Sequence, residues 1–355
     1  MKEFLQKLMR GETFSREESA HIFLRLTSPE VSDLQKSAFL AALTMRGETV
    51  DEMAGFALAM RQAAIHFPGP LHSDSESIVD TCGTGGDGSG SFNISTATAL
   101  LCAAAGIRVA KHGNRSVSSK SGSADVLEAL KVRIDRTPED SCRELEESGF
   151  TFLFAQKYHQ AMKVIAPVRG SLGVKTIFNL LGPLTNPARP DKQLIGTFSV
   201  DAAEKIAHVC RFIGLRHAFI VHSVSGWDEA TPADDFYIFE VRENSVRRLK
   251  KSGVDFGIRK CAAEELKGGD AVRNAAIIEE IFNGKRSPQR DSVILNSALV
   301  FLLAGKKSDP KSAASAAAQI IDSGKARDLL ELLRKNSLSD AGASGSKNDQ
   351  RTDKS

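Results

Sequence analysis

The sequence predicts an α/β protein in which a small N-terminal helical domain precedes a larger α/β domain with a mostly parallel central sheet. Two observations lead there. Residues 1–67 read as helices throughout, whereas from Ser77 onward short apolar runs alternate with helical stretches, the pattern of parallel strands joined by helical crossovers. At the first such junction stands a glycine-rich stretch, DTCGTGGDGSGSFNIST, over residues 80–96. The expected division is a helical domain over 1–70 that also receives about 165–187, an α/β domain over 71–336, and a disordered tail over 337–355.

The helices of the first domain carry their own start and stop signals. Ser15 with Glu18 and Thr49 with Glu52 are capping boxes, and Gly11 and Gly47 close the helices before them. Arg-Gly-Glu-Thr occurs at both Arg10 and Arg46 with unmatched flanks, so it reads as recurring stop-and-start chemistry. Residues 67–76, with Pro68 and Pro70, suit a linker. A buried strand is expected at 77–79, then a helix over 97–105 ended by Gly106. Further strands are expected at 107–110, 150–154, 192–199 and 217–222, with a hairpin over 236–249 turning at Glu243-Asn244. Helices are expected over 124–130, after Thr137-Pro138 as far as Gly149, over 202–213, and through most of 271–335. Beyond Asn336 there is little apolar surface to bury, hence the expected disorder.

A chain of 355 residues with 41% hydrophobic content can bury a large core. Its net charge of +3 comes from scattered basic residues with no stripe, which argues against a dedicated nucleic-acid binder. No apolar run reaches transmembrane length and no signal peptide pattern opens the sequence, so a cytoplasmic location is expected. Cys82, Cys102, Cys142, Cys210 and Cys261 are odd in number and widely spaced, as free thiols in a reducing compartment would be.

The chemistry concentrates in four places. The 80–96 loop joins a strand to a helix N-terminus, where free N–H groups and the helix dipole favour an anion, and Ser89, Ser91, Asn93, Ser95 and Thr96 add donors without bulk. Gly83, Gly85 and Gly88 have dinucleotide-fold spacing, but the stretch some twenty residues on holds Arg108 and no carboxylate. A P-loop is equally disfavoured, since Gly88-Ser89-Gly90 stands where Gly-Lys-Ser/Thr is required. Asp87 inside the loop fits a pyrophosphate only if a cation mediates. A second polar loop, Lys111-His112-Gly113-Asn114-Arg115 and the serines to Ser123, follows the next strand, with Lys111 and Arg115 suited to phosphate oxygens. Arg169, just after Pro167, offers a fork suited to a planar carboxylate. Asp228-Glu229 are adjacent acids that repel unless a cation sits between them, and magnesium is the expected guest.

With GTGGDG and NIST, KHGNRSVSS and SGSADVLEAL, APVR with LG, FNLLGPLTNP and WDE in this order, the sequence from about Lys7 to Leu333 closely resembles the anthranilate phosphoribosyltransferase family. The resemblance implies a fold of the nucleoside phosphorylase/phosphoribosyltransferase kind, an active site in the interdomain cleft, and homodimerisation through the helical domain. It implies transfer of phosphoribose from 5-phosphoribosyl 1-pyrophosphate to the amine of anthranilate, with magnesium assistance, in tryptophan biosynthesis. By that resemblance Gly83, Gly86, Asp87, Ser91, Asn93, Ser95, Thr96, Lys111, Ser119 and Ser123 would cradle the sugar pyrophosphate. Ser95, Asp228 and Glu229 would hold magnesium, Asn114 and Arg169 would position anthranilate, His112 and Tyr158 would line its approach, and Gly182 would be a hinge. No acid-base catalyst is expected.

Five positions depart from the family pattern: Lys131 for Gly, Gln160 for Pro, Val164 for His, Lys175 for Arg, and Trp227 in a Gly-Leu-Asp-Glu stretch. Two alternatives are weaker. A pyrimidine nucleoside phosphorylase would need a Lys-His-Ser-Thr-Gly-Gly type loop that is missing, and a non-enzymatic nucleic-acid-binding relative would need a basic stripe and no acidic pair.

Overall fold

The computed structural model describes residues 1–69, 77–116, 120–243 and 245–345. Four helices come first: α1 (Lys2–Met9), α2 (Arg16–Leu26), α3 (Asp33–Arg46) and α4 (Val50–Ala63). Both expected capping boxes form. Glu52 also accepts from the Phe14 amide at 2.9 Å and pairs with Arg46, which in turn donates to the Glu12 carbonyl at 2.5 Å. The two Arg-Gly-Glu-Thr segments therefore meet in space. Arg61, buried on α4, donates to the carbonyls of Leu184 at 2.6 Å and Ile213 at 2.9 Å, and so pins the helices to the rest of the chain.

The second part alternates as expected. In order come β1 (Ile78–Gly83), α5 (Ile94–Ala104), β2 (Arg108–Gly113), α6 (Ser123–Ala129), α7 (Pro138–Ser148), β3 (Phe150–Phe154), α8 (Ala155–Tyr158), α9 (Met162–Leu172) and α10 (Phe178–Leu181). Then follow β4 (Lys192–Gly196), α11 (Val200–Phe212), β5 (His217–Ser223), β6 (Phe236–Arg242), β7 (Ser245–Lys251), α12 (Ala271–Phe282), α13 (Pro288–Ala304), α14 (Pro310–Asp322) and α15 (Lys325–Gly345). The strands form one sheet in the order β3-β2-β1-β4-β5-β6-β7, parallel through β5 and antiparallel at β6 and β7.

Successive strand residues point to opposite faces, and each face has its own core. Leu194, Phe219 and Val221 pack with α5 and α12–α15, whereas Ile195, Ala218 and Ile220 pack with α11 and the N-terminal helices. Ile165, Val168, Ile177, Phe178, Leu181 and Leu184 join that second cluster.

Some boundaries differ from expectation. β2 runs on to Gly113, so Lys111 and His112 are strand residues, while β4 stops at Gly196. The disordered tail expected from 337 is corrected at its start, because α15 continues to Gly345. Leu329, Leu330 and Leu333 anchor that helix in the core, and the Ser337 hydroxyl accepts from the Arg133 amide at 2.9 Å. Residues 346–355, most of the expected linker, and Asn244 of the expected hairpin turn lie outside the described residues. Lys131 adopts φ 63, a left-handed conformation that glycine takes without strain, which fits the glycine that the resemblance leads one to expect at this position.

Candidate active site

The sheet order changes direction between β1 and β4, and in open parallel sheets the crevice beyond the strand C-termini at that point binds ligands. The last residues of these two strands, Gly83 and Gly196, pair in register there. The Asp228 loop descends onto both. A Cβ on Gly196 would lie 1.6 Å from the Asp228 carbonyl oxygen, and one on Gly83 would lie 2.8 Å from Asp228 Oδ2. Sequence reasoning missed Gly196, whose only signal is a glycine at the end of a parallel strand. Gly196→Ala is expected to displace the Asp228 backbone and destabilise the fold by about 1–3 kcal/mol. An unchanged denaturant midpoint would refute that contact.

From Gly83 the loop turns over itself through Gly85, Gly86, Gly88 and Gly90, with φ of 64, 72, 72 and 67, a conformation side chains resist. Its other end is braced from behind. The Gly268 amide donates to the Gly90 carbonyl at 2.9 Å, and Asn274 donates to Asn93 Oδ1 at 2.9 Å. Asn93 also donates to the Ser121 carbonyl at 3.2 Å, so its side chain ties the two polar loops and α12 together. Ser91 and Ser95 are half-buried in the loop wall, Thr96 is fully buried on the first turn of α5, and Gly86 is exposed at the bend.

The acids of the two loops converge. Asp228 Oδ2 accepts from the Gly85 amide at 2.9 Å, the Asp228 amide donates to Asp87 Oδ2 at 3.2 Å, and the Ser95 amide donates to Glu229 Oε1 at 3.2 Å. Burial, with the negative charges of Asp87 and Glu229, holds the Asp228 carboxyl well above the usual carboxylate range. Burial likewise pushes Glu229 up to about 7, against the pull of Lys111. The Lys111 ammonium donates to the Thr81 carbonyl and, at 3.3 Å, to Ser95 Oγ. Fully buried Asp80 accepts from the His112 amide, Asn186 Nδ2 and Gln193 Nε2, its own carboxyl pushed up to about 6 by burial against the pull of the Lys111 charge. A charged residue inside an apolar strand was the overlooked signal for that network.

The second loop divides differently from expectation. Asn114 is exposed at the end of β2, with its Oδ1 accepting from Gln156 at 3.2 Å, and Ser123 lies beside it, donating to the Asn114 carbonyl. Arg115, of a type suited to phosphate oxygens, is paired with Asp125 at 3.0 Å and Glu128 at 2.5 Å. Ser119 lies outside the described residues. His112 is buried, with Nδ1 3.2 Å from the Gly182 carbonyl, and burial first of all pushes it down to about 3, so it is neutral at ordinary pH. Tyr158, expected along an approach, is 2% exposed and packed with Phe67, Ile78 and Leu153. Gly182 has an ordinary helical φ of -47. Cys82 is half-buried, and desolvation pushes its thiol up, away from reactivity.

Arg169 lies on α9, which runs through Pro167, and its guanidinium sits over the Phe178 ring at 5.3 Å. Among the described residues no carboxylate pairs with it, and desolvation lowers its pKa. α9 ends at Gly173, and Lys175 beyond it reaches the glycine loop, donating to the Gly86 carbonyl at 2.7 Å.

The donor set suits a hard, oxygen-seeking dication. Two buried acids are held up by burial and by neighbouring negative charge, and Asp87 and the Ser95 hydroxyl stand beside them. Among the described residues no three His, Cys, Asp or Glu side chains form a closed metal-holding group. Magnesium needs no such cage: one or two carboxylates hold it, and waters and substrate oxygens complete its shell.

Comparison with known proteins shows the family and the fold. Residues 2–64 match the glycosyl transferase family, helical bundle domain, and residues 75–327 match the glycosyl transferase family, a/b domain. An anthranilate phosphoribosyltransferase of Idiomarina loihiensis is 46% identical over 331 residues, 93% of this chain and 96% of that protein. The chain belongs to the anthranilate phosphoribosyltransferase family. Another relative of that description, from Desulforamulus reducens, is 42% identical over 93% of this chain and 95% of its own. The crystal structure of the Thermus thermophilus anthranilate phosphoribosyltransferase superposes with a TM-score of 0.85 at 39% identity, covering 94% of this chain and 98% of that one. A Saccharomyces cerevisiae member solved with PRPP and Mg shares the fold, with a TM-score of 0.86 at 24% identity over 95% and 97% of the two chains.

Proposed function

We propose that this chain transfers phosphoribose from 5-phosphoribosyl 1-pyrophosphate to the amine of anthranilate, as its family relatives are named for doing. The observation that carries the reading is the descent of the Asp228-Glu229 loop onto the glycine loop at the β1/β4 switch point. Gly83, Gly86, the loop amides, Ser91, Asn93, Ser95, Thr96, Lys111 and Ser123 form the phosphoribosyl side, with Asn93 also bracing the two loops, and Asn114 stands with Arg169 on the anthranilate side. Ser95, Asp228 and Glu229, with Asp87 beside them, are the residues that would hold magnesium, which when bound would neutralise charge on the departing pyrophosphate.

Arg169 supplies a fork for the anthranilate carboxylate, without a carboxylate partner among the described residues, desolvated and backed by Phe178. The aryl amine is neutral at pH 7 and already nucleophilic, so no base is needed, and neutral His112 supports the second loop from behind by holding the Gly182 carbonyl. Catalysis then rests on holding amine and ribose carbon in line and on fixed donors facing the leaving group.

The domain division at about 70, with 165–187 given to the helical part, is kept in this reading: Ile165, Val168, Ile177, Phe178, Leu181 and Leu184 pack with the N-terminal helices, in a core that also takes in α11 and one face of the sheet. A homodimer through the helical domain is supported by Met9, Leu34 and Met45, which stand 77%, 84% and 88% exposed. Free cysteines favour a reducing, cytoplasmic compartment, and among the described residues no helix is long and apolar enough to cross a membrane. A role in tryptophan biosynthesis follows from the reaction.

The test is loss of anthranilate fluorescence, expected only when the sugar pyrophosphate and magnesium are both present. Persistence of the signal with all components, or phosphorolysis of thymidine or uridine instead, would overturn the reading.

A further inference from the structure

Lys175 touches three parts of the molecule at once. Its ammonium donates to the Gly86 carbonyl at 2.7 Å, lies 3.7 Å from the centre of the Phe198 ring beyond β4, and its own carbonyl accepts from Thr44 Oγ1 of α3 at 3.5 Å. The chain from Lys175 back to Arg169 is only the end of α9 and the Gly173 turn. Gly86 is the second of four left-handed glycines, the part of the loop whose backbone is least restricted by side chains. A Cβ at Gly86 would sit 3.3 Å from Lys175 Cε, so the lysine stem lies flat across the bend. Among the described residues the ammonium has no carboxylate partner, which leaves its charge for the loop and for any anion the loop holds.

We propose that Lys175 is a positioning residue that couples the two substrates, fastening the glycine loop to the segment leaving the Arg169 helix. The inference rests on the function proposed above and deepens it. An anion in the loop draws the ammonium inward, and the short link through Gly173 carries that pull to α9, where the aromatic carboxylate is held. The reverse follows by thermodynamic reciprocity. Because the side chain is otherwise exposed, its loss removes the fastening without opening a core.

Initial rates over a matrix of both substrate concentrations, with calorimetric titration of the magnesium sugar pyrophosphate into enzyme with and without anthranilate's deaminated analogue benzoate, test this on the parent, Lys175→Met and Lys175→Arg. The parent is expected to bind each substrate about fivefold or more tightly in the presence of the other. In Lys175→Met that factor falls to within about twofold of one, melting unchanged, and Lys175→Arg restores it. A parent factor near one, or a Lys175→Met factor equal to the parent's, overturns the coupling. Absence of any turnover by the parent overturns the underlying function, and the coupling with it.

Discussion

Arg169→Ala is expected to raise the KM for anthranilate by about 30- to 100-fold while changing that for the sugar pyrophosphate by less than about threefold. A charge-assisted fork on a carboxylate contributes about 2–3 kcal/mol, and each 1.4 kcal/mol is about tenfold in affinity. Arg169 has the attributes for this: its guanidinium is partly desolvated, rests on Phe178, and meets no carboxylate among the described residues. Were it a structural ion pair, its loss would lower stability and leave the ratio of the two KM values unchanged. Steady-state kinetics against both substrates decide the matter. Equal rises in the two constants would remove Arg169 from the anthranilate site.

Asp228→Asn combined with Glu229→Gln is expected to raise the magnesium concentration needed for half-maximal rate at least about tenfold, and to stabilise the metal-free protein above pH 7. The sign follows from the carboxyls. Glu229 is raised in the folded chain from 4.5 to about 7, and Asp228 is raised too, both chiefly by burial. Below pH 4.5 folded and unfolded chains both keep the Glu229 proton. Between 4.5 and 7 the unfolded chain releases it and the folded chain does not, so stability falls as pH rises and levels off above 7. The penalty is on the order of a few kcal/mol for a fully buried acid. The substituted amides do not titrate, and the carboxamide oxygen introduced at position 228 can still accept from the Gly85 amide. Thermal melts in EDTA at pH 5 and pH 8 therefore should show the parent losing stability between them and the double variant holding it. A magnesium titration unchanged by the substitutions would sink the metal assignment.

Residue type and order are enough to show that Arg169 offers a fork and that Asp228-Glu229 form an acidic pair. They do not show that Asp87 and Glu229 both press on Asp228, or that Gly196 makes room for it, because residues 87, 196 and 228 meet only through sheet register and loop descent. Asn93 has the residue type of a ligand donor and is also a brace, its amide donating to the Ser121 carbonyl and its oxygen accepting from Asn274. Arg115 has the residue type of a phosphate contact and is held by Asp125 and Glu128 of the next helix. That pairing lies ten and thirteen residues away, and spacing alone does not favour it over a free cation.

The elements and their kind are legible locally. Capping boxes at Ser15 and Thr49, strand-length apolar runs and glycine stops are carried by backbone hydrogen bonding within a few residues, and they stand in the structure near their expected positions. The loops proposed to carry the chemistry are legible too, since glycine, hydroxyls and paired acids have few other uses in such runs. Which of those side chains face the crevice depends on the assembled fold. Tyr158 goes into the core and Lys175 comes out across the loop, because burial and pairing are set by neighbours distant in sequence and brought together only when the two faces of the sheet are covered.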